Sequence, residues 1–91
     1  MSEKLNGSLG ARIVPMDERS AGGRLYALYS VDIGGKEKYA VYVADEQDSD
    51  FYFAEGDLRQ VITLFGMICD GKLSRHHLCD IIFDHNNLQI L

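Results

Sequence analysis

Apolar residues alternate along the middle of the chain and then change period towards its end. Arg24 to Ile33 (RLYALYSVDI) places Leu25, Ala27, Tyr29, Val31 and Ile33 on one face of an extended strand. Gly34-Gly35 follows, and glycine takes a left-handed backbone at little cost, so the chain is expected to reverse there. Lys36 to Ala44 (KEKYAVYVA) returns with Tyr39, Val41 and Val43 on one face. The two segments read as a β-hairpin. A two-residue Gly34-Gly35 loop would pair Ile33 with Lys36 and turn the two apolar sets to opposite faces, because a one-residue slip reverses a strand. A three-residue loop, Ile33-Gly34-Gly35 with Gly35 left-handed in a bulge, aligns them: Tyr29 then opposes Tyr39, Ala27 opposes Val41 and Leu25 opposes Val43. The pattern therefore predicts an odd-length loop.

Upstream, Ala11 to Met16 reads as a short strand, placed at a sheet edge by Pro15, which lacks a backbone donor. Asp17 to Gly23 (DERSAGG) reads as a loop, and residues 1–10 as a flexible N-terminus. Asp45 to Asp50 is a charged loop, and Phe51 to Ala54 a further strand with Phe51 and Phe53 on one side and Tyr52 on the other. From Asp57 to Asp70 the period becomes helical, with Leu58, Val61, Ile62, Phe65, Ile68 and Cys69 on one stripe. Asp57 and Gln60 make a capping box, and Gly71 is the expected left-handed stop. Ser74 caps a second helix, Leu73 and Leu78 form a hydrophobic staple, and Asn86-Asn87 is the expected end. The short Gly71-Lys72-Leu73 link makes the helices an antiparallel or steeply crossed pair. Leu88 to Leu91 is an apolar tail in need of cover. The predicted architecture is α+β: an antiparallel three- to four-stranded β-meander followed by a two-helix hairpin packed on one sheet face. Residues 11–91 form this single domain.

Composition narrows the function classes. The 91 residues suffice for one domain, and 46% apolar with 25% charged is ordinary for a folded chain. Fourteen Asp and Glu against nine Lys and Arg give a net charge of −5, which disfavours nucleic acid and anionic membranes as partners. No run of apolar residues is long enough for a membrane-spanning helix. The first ten residues lack the apolar core of a signal peptide, so a cytoplasmic location with Cys69 and Cys79 as reduced thiols is expected.

The densest group of potential ligands is Cys69, His76, His77, Cys79 and His85. These are zinc-ligand types, yet there is no C-x-x-C pair, and adjacent histidines on a helix diverge by about 100°. No metal or cofactor is expected; Cys69 reads as a buried thiol and the histidines as helix-surface residues. His76, His77, Cys79 and Asp80 remain the alternative, a small-molecule or metal cluster on the second helix. Cys69 lies beside Asp70 at a helix C-terminus, where the dipole opposes a thiolate, so no catalytic residue is assigned. The hairpin register supplies a different candidate. Tyr26 and Tyr42 would face each other on the outer side of the sheet, with Leu28 beside them and Tyr52 on the next strand. With Leu88, Ile90 and Leu91 they form a candidate contact surface for a protein partner or for a second copy in a homodimer. The expected function is a non-enzymatic intracellular interaction or regulatory module.

Two segments carry a family resemblance. Tyr39-Ala40-Val41-Tyr42-Val43 resembles a Tyr-Gly-Ile strand, and Lys72 to Asp84 (KLSRHHLCDIIFD) resembles a closing Val-Thr/Ser-Pro-x-His-Leu-x-Asp-Val-Ile-x-Asp segment, both found in a family of short uncharacterised bacterial proteins of Firmicutes type. Ala40 stands where that family has glycine, and Arg75 where it has proline. The resemblance implies no activity. It matches His77, Leu78, Asp80 and Asp84 to that family's recurring positions and implies a structural part for His77 and Asp80, fixing the entry of the second helix.

Overall fold

A computed structural model describes residues 11–90, with side chains for residues 12–88. Four strands form one antiparallel meander in chain order: β1 (Ala11–Ala21), β2 (Arg24–Ile33), β3 (Lys36–Ala44) and β4 (Ser49–Ala54). Two helices follow, α1 (Leu58–Asp70) and α2 (Arg75–Ile90), packed on one face of the sheet. The α+β architecture expected from the sequence is the one observed.

β1 is longer than its apolar pattern suggests. It runs through Asp17 to Ala21, the stretch expected to be a loop, by way of a bulge between Pro15 and Asp17. The bulge inserts Met16 and shifts the strand's phase, so Asp17 and Arg19 fall on the helix-bearing face. Their charges are accommodated locally. Arg19 bonds Asp17 at 3.2 Å, and its guanidinium lies 5.5 Å from the centre of the Phe65 ring.

The β2–β3 register is the main departure from expectation. Ile33 pairs with Lys36, Tyr29 with Ala40, Leu28 with Val41 and Tyr26 with Val43. The loop is therefore the two-residue Gly34-Gly35 turn, with φ of 59° and 84°. Left-handed geometry at both central residues marks a type I′ turn, whose twist matches the flanking strands. The apolar set Leu25, Ala27, Tyr29, Val31 and Ile33 consequently faces away from the helices. Tyr26 and Leu28 face them together with Tyr39, Val41 and Val43. Tyr29 and Tyr39 lie on opposite faces, contrary to the odd-loop expectation. The reason is that β2 is apolar on both faces, so alternation alone does not choose between them.

The Tyr26 hydroxyl donates to the Leu73 carbonyl at 2.7 Å, and Arg24 Nη1 donates to the Lys72 carbonyl at 2.8 Å. β2 thus holds the link between the helices from below. Burial raises the Tyr26 phenol above its ordinary pKa. The α1 capping box forms as expected, with Asp57 accepting from Gln60 N–H and Gln60 Oε1 accepting from Asp57 N–H. At the other end Gly71 is right-handed, and Lys72 takes the left-handed position at φ 51°. Lys72 N–H bonds Cys69 O and Leu73 N–H bonds Ile68 O, closing the helix by the Schellman pattern.

The α2 N-terminus is fixed by charge. Arg75 reaches Asp45 at 3.0 Å and Asp50 at 3.4 Å, drawing the acidic β3–β4 loop against the helix. Backbone N–H groups of Asp48 and Gln47, then the Arg75 guanidinium, hold the Asp45 carboxyl down at about 2. A carboxyl whose folded pKa lies below its unfolded value stabilises the fold above the unfolded pKa, here about 4, and loses that contribution as pH falls towards 2. Asp45→Asn removes the titration while keeping an acceptor for the turn. The variant is expected to show a shallower fall of its urea midpoint between pH 4 and pH 2 than the wild type. Equal slopes would contradict this role for Asp45.

Candidate interaction surface

Two surfaces follow from this architecture. The first is the sheet face turned away from the helices. The register places Ile13 and Pro15 of β1, Ala27, Tyr29 and Val31 of β2, Ala40 and Tyr42 of β3, and Phe51 and Phe53 of β4 on it. Its aromatic rings touch one another. Tyr29 and Tyr42 have centroids 6.3 Å apart at 78°, Tyr29 and Phe51 6.3 Å apart, and Phe51 and Phe53 5.6 Å apart at 85°. Edge-to-face pairs of this kind stabilise the sheet. They do not remove the surface from water: Phe51 and Phe53 are each 43% exposed, and Ile13 is exposed at the far edge. Both helices lie on the other side, so among the described residues no element covers this face.

The sheet edges are treated differently. The free edge of β4 is covered by α2. Asn86 Nδ2 donates to the Phe53 carbonyl and Asn86 Oδ1 accepts from Glu55 N–H, so one carboxamide bonds the strand as a neighbouring peptide unit would. His85 Nε2 lies 2.7 Å from the Glu55 carbonyl, which can only accept, so Nε2 carries a proton. The free edge of β1 carries Pro15, a bulge and the charges of Arg12, Asp17, Glu18 and Arg19, all of which discourage strand addition. Asn86, read from the sequence as a helix end, lies inside α2. No local signal marks its bond to residues more than thirty positions away.

The second surface is an open cleft of about 490 Å³ between the helices, lined by Leu64, Met67, Ile81 and Leu88 with Arg59 and Asp84 beside them. Gln60, Thr63 and His85 also border it, but each already bonds within the chain, to Asp57, Arg59 and Glu55 respectively.

The residues expected on the contact surface are dispersed. Tyr26 (0% exposed) and Leu28 are fully buried against the helices, because the two-residue turn inverts β2. Tyr42 is on the outer face, as expected. Tyr52 is half-buried on the helix side, where burial and the adjacent Cys79 thiol raise its phenol. Leu88 is 69% exposed, at the cleft and not at the sheet. The side chain of Ile90 and all of Leu91 lie outside the described residues, as do residues 1–10. Tyr29, Phe51 and Phe53 stand on the outer face where Tyr26, Leu28 and Tyr52 were expected. The Gly-Gly dipeptide, read as a two-residue turn, was the signal for Tyr29; Phe51 and Phe53 follow from the β3–β4 register.

The second-helix candidates lie at the surface. His76, His77, Cys79 and Asp80 are all exposed, and among the described residues no group of three or more His, Cys, Asp or Glu could hold a metal ion. His77 serves the helix start from the third helical position: its backbone N–H donates to Ser74 Oγ at 3.4 Å and its Nδ1 lies 3.2 Å from the same oxygen. Cys69 is buried, and burial pushes its thiol up, the reverse of what a nucleophile needs. No described helix is long and apolar enough to cross a membrane. No family model, curated protein or solved structure matches this chain.

Proposed function

We propose that this protein is a non-enzymatic interaction module whose outer sheet face docks on a flat, apolar face of another protein chain. The observation that carries the reading is the Tyr29, Tyr42, Phe51 and Phe53 ring cluster on a sheet face that no described element covers. Folded chains rarely leave a contiguous apolar patch of this kind to water unless it is used in contact. The treatment of the edges supports the reading. Both are blunted against strand addition, and the face is left apolar.

The test is the size of the tagged protein in a native extract, with Phe51→Lys/Phe53→Lys as the control. Both side chains are already partly in water, so lysine is tolerated in the free domain. The wild type is expected to elute well above monomer size and the double variant at monomer size. A wild type that elutes as a monomer in extract contradicts the proposal.

A further inference from the structure

We infer that the partner of the outer face is a second copy of this chain, stacked face to face in a closed α–β–β–α dimer. The inference rests on the docking reading above and names its occupant. Three features of the face point to self-pairing.

The first is charge. The chain carries fourteen acidic residues and a net charge of −5, so two copies repel one another over most of their surface. The outer face is the exception. Of the acidic residues in the strands, the register places only Glu18 on it, together with Lys36 and Lys38. Two copies can meet there without opposing their negative charge.

The second is size and shape. Four strands at about 4.8 Å spacing, from about 20 Å to about 36 Å long, present a plane of roughly 600 Å². Two such planes bury on the order of 1,200 Å², the lower bound of stable specific interfaces. Sheets stack about 10 Å apart with strands about 30° from parallel, and interdigitating side chains fill the gap. The large rings here stand beside Ala27 and Ala40, an alternation of large and small side chains that suits such interdigitation.

The third is closure. Edge pairing of antiparallel strands propagates into open arrays, and both edges are blunted by the Asn86 carboxamide on β4 and by Pro15 and the bulge on β1. Face stacking about a two-fold axis uses the same sheet face of each copy and stops at two.

The experiment is sedimentation of the purified wild-type chain beside Phe51→Lys/Phe53→Lys, with tyrosine nitration as a readout that needs no substitution. The wild type is expected to sediment as a dimer and the variant at half that mass with an unchanged circular dichroism spectrum. In the wild type, Tyr29 and Tyr42 are expected to resist nitration in the dimer and to become reactive on dilution to monomer. A purified wild type that stays monomeric at high concentration, with Tyr29 and Tyr42 reactive throughout, overturns self-pairing. If that monomer still elutes large in extract through Phe51 and Phe53, the docking reading stands with a different partner. If it is monomeric in extract as well, both readings fall.

Discussion

Tyr26→Ala is expected to cost about 3–5 kcal/mol, the range for deleting a large buried aromatic side chain. The ring is fully buried among Leu28, Val43 and the helix residues, and its hydroxyl holds the Leu73 carbonyl in the link between α1 and α2. Total stability of a domain this small is about 5–15 kcal/mol, so the variant is expected to lose a large share of it. Tyr26→Phe separates the two contributions. It keeps the packing and loses only the hydrogen bond, about 1 kcal/mol. Tyr42→Ala, on the outer face of the neighbouring strand, is expected to cost less than half as much as Tyr26→Ala, because its ring is only partly buried and bonds no backbone group. Urea midpoints of the three variants give the ranking. Equal losses for Tyr26→Ala and Tyr42→Ala would mean that β2 is the other way up.

Gly34→Ala/Gly35→Ala is the second large effect. Both residues are left-handed, and each L-residue forced into that region costs about 1–2 kcal/mol, so the double variant is expected to lose about 2–4 kcal/mol. No atom lies within 4 Å of a Cβ placed at either position, so crowding adds nothing and the loss reports backbone conformation alone. Asn-Gly at the same two positions is tolerated by a type I′ turn and is expected to recover most of the loss. Gly66→Ala is the matched control. It lies in the middle of α1 with open space around it, and there alanine is expected to add about 0.5–1 kcal/mol. Thermal or urea unfolding of the three variants checks the signs.

These two sets of variants probe the point at which sequence and structure part. The helical half was legible in its starts and most of its buried stripe, although Leu58 and Ile62 of the expected stripe are exposed, Leu64 is buried, Lys72 and not Gly71 is the left-handed stop, and α2 runs past Asn86-Asn87. Asp57 and Gln60 cap α1, Val61, Phe65, Ile68 and Cys69 are buried at helical spacing, and Leu73 and Leu78 pack at the start of α2. A helix has one apolar stripe, and that stripe fixes which side goes inward. The sheet was legible as strands and turns, but β2 is apolar on both faces, so its pattern did not say which face was the core. The candidate site inherited that ambiguity. Tyr42 was placed correctly because β3 has one face dominated by Tyr39, Val41 and Val43, and Tyr26 and Leu28 were misplaced because β2 does not.

What the sequence by itself determined is the order of elements, the helix N-terminal caps and the presence of an aromatic face on the sheet; the ends of β1 and α2 lay beyond it. The features it determined depend on contacts within a few residues, which period and turn chemistry encode. What only the tertiary structure decided is which aromatics make up that face, that the described second-helix histidines and Cys79 form no metal-holding group, and that Asn86 covers the β4 edge. Each of these depends on groups far apart in the chain meeting in space. The type I′ backbone of two glycines, and the reach of the Tyr26 hydroxyl to Leu73, accompany the choice between two otherwise similar registers.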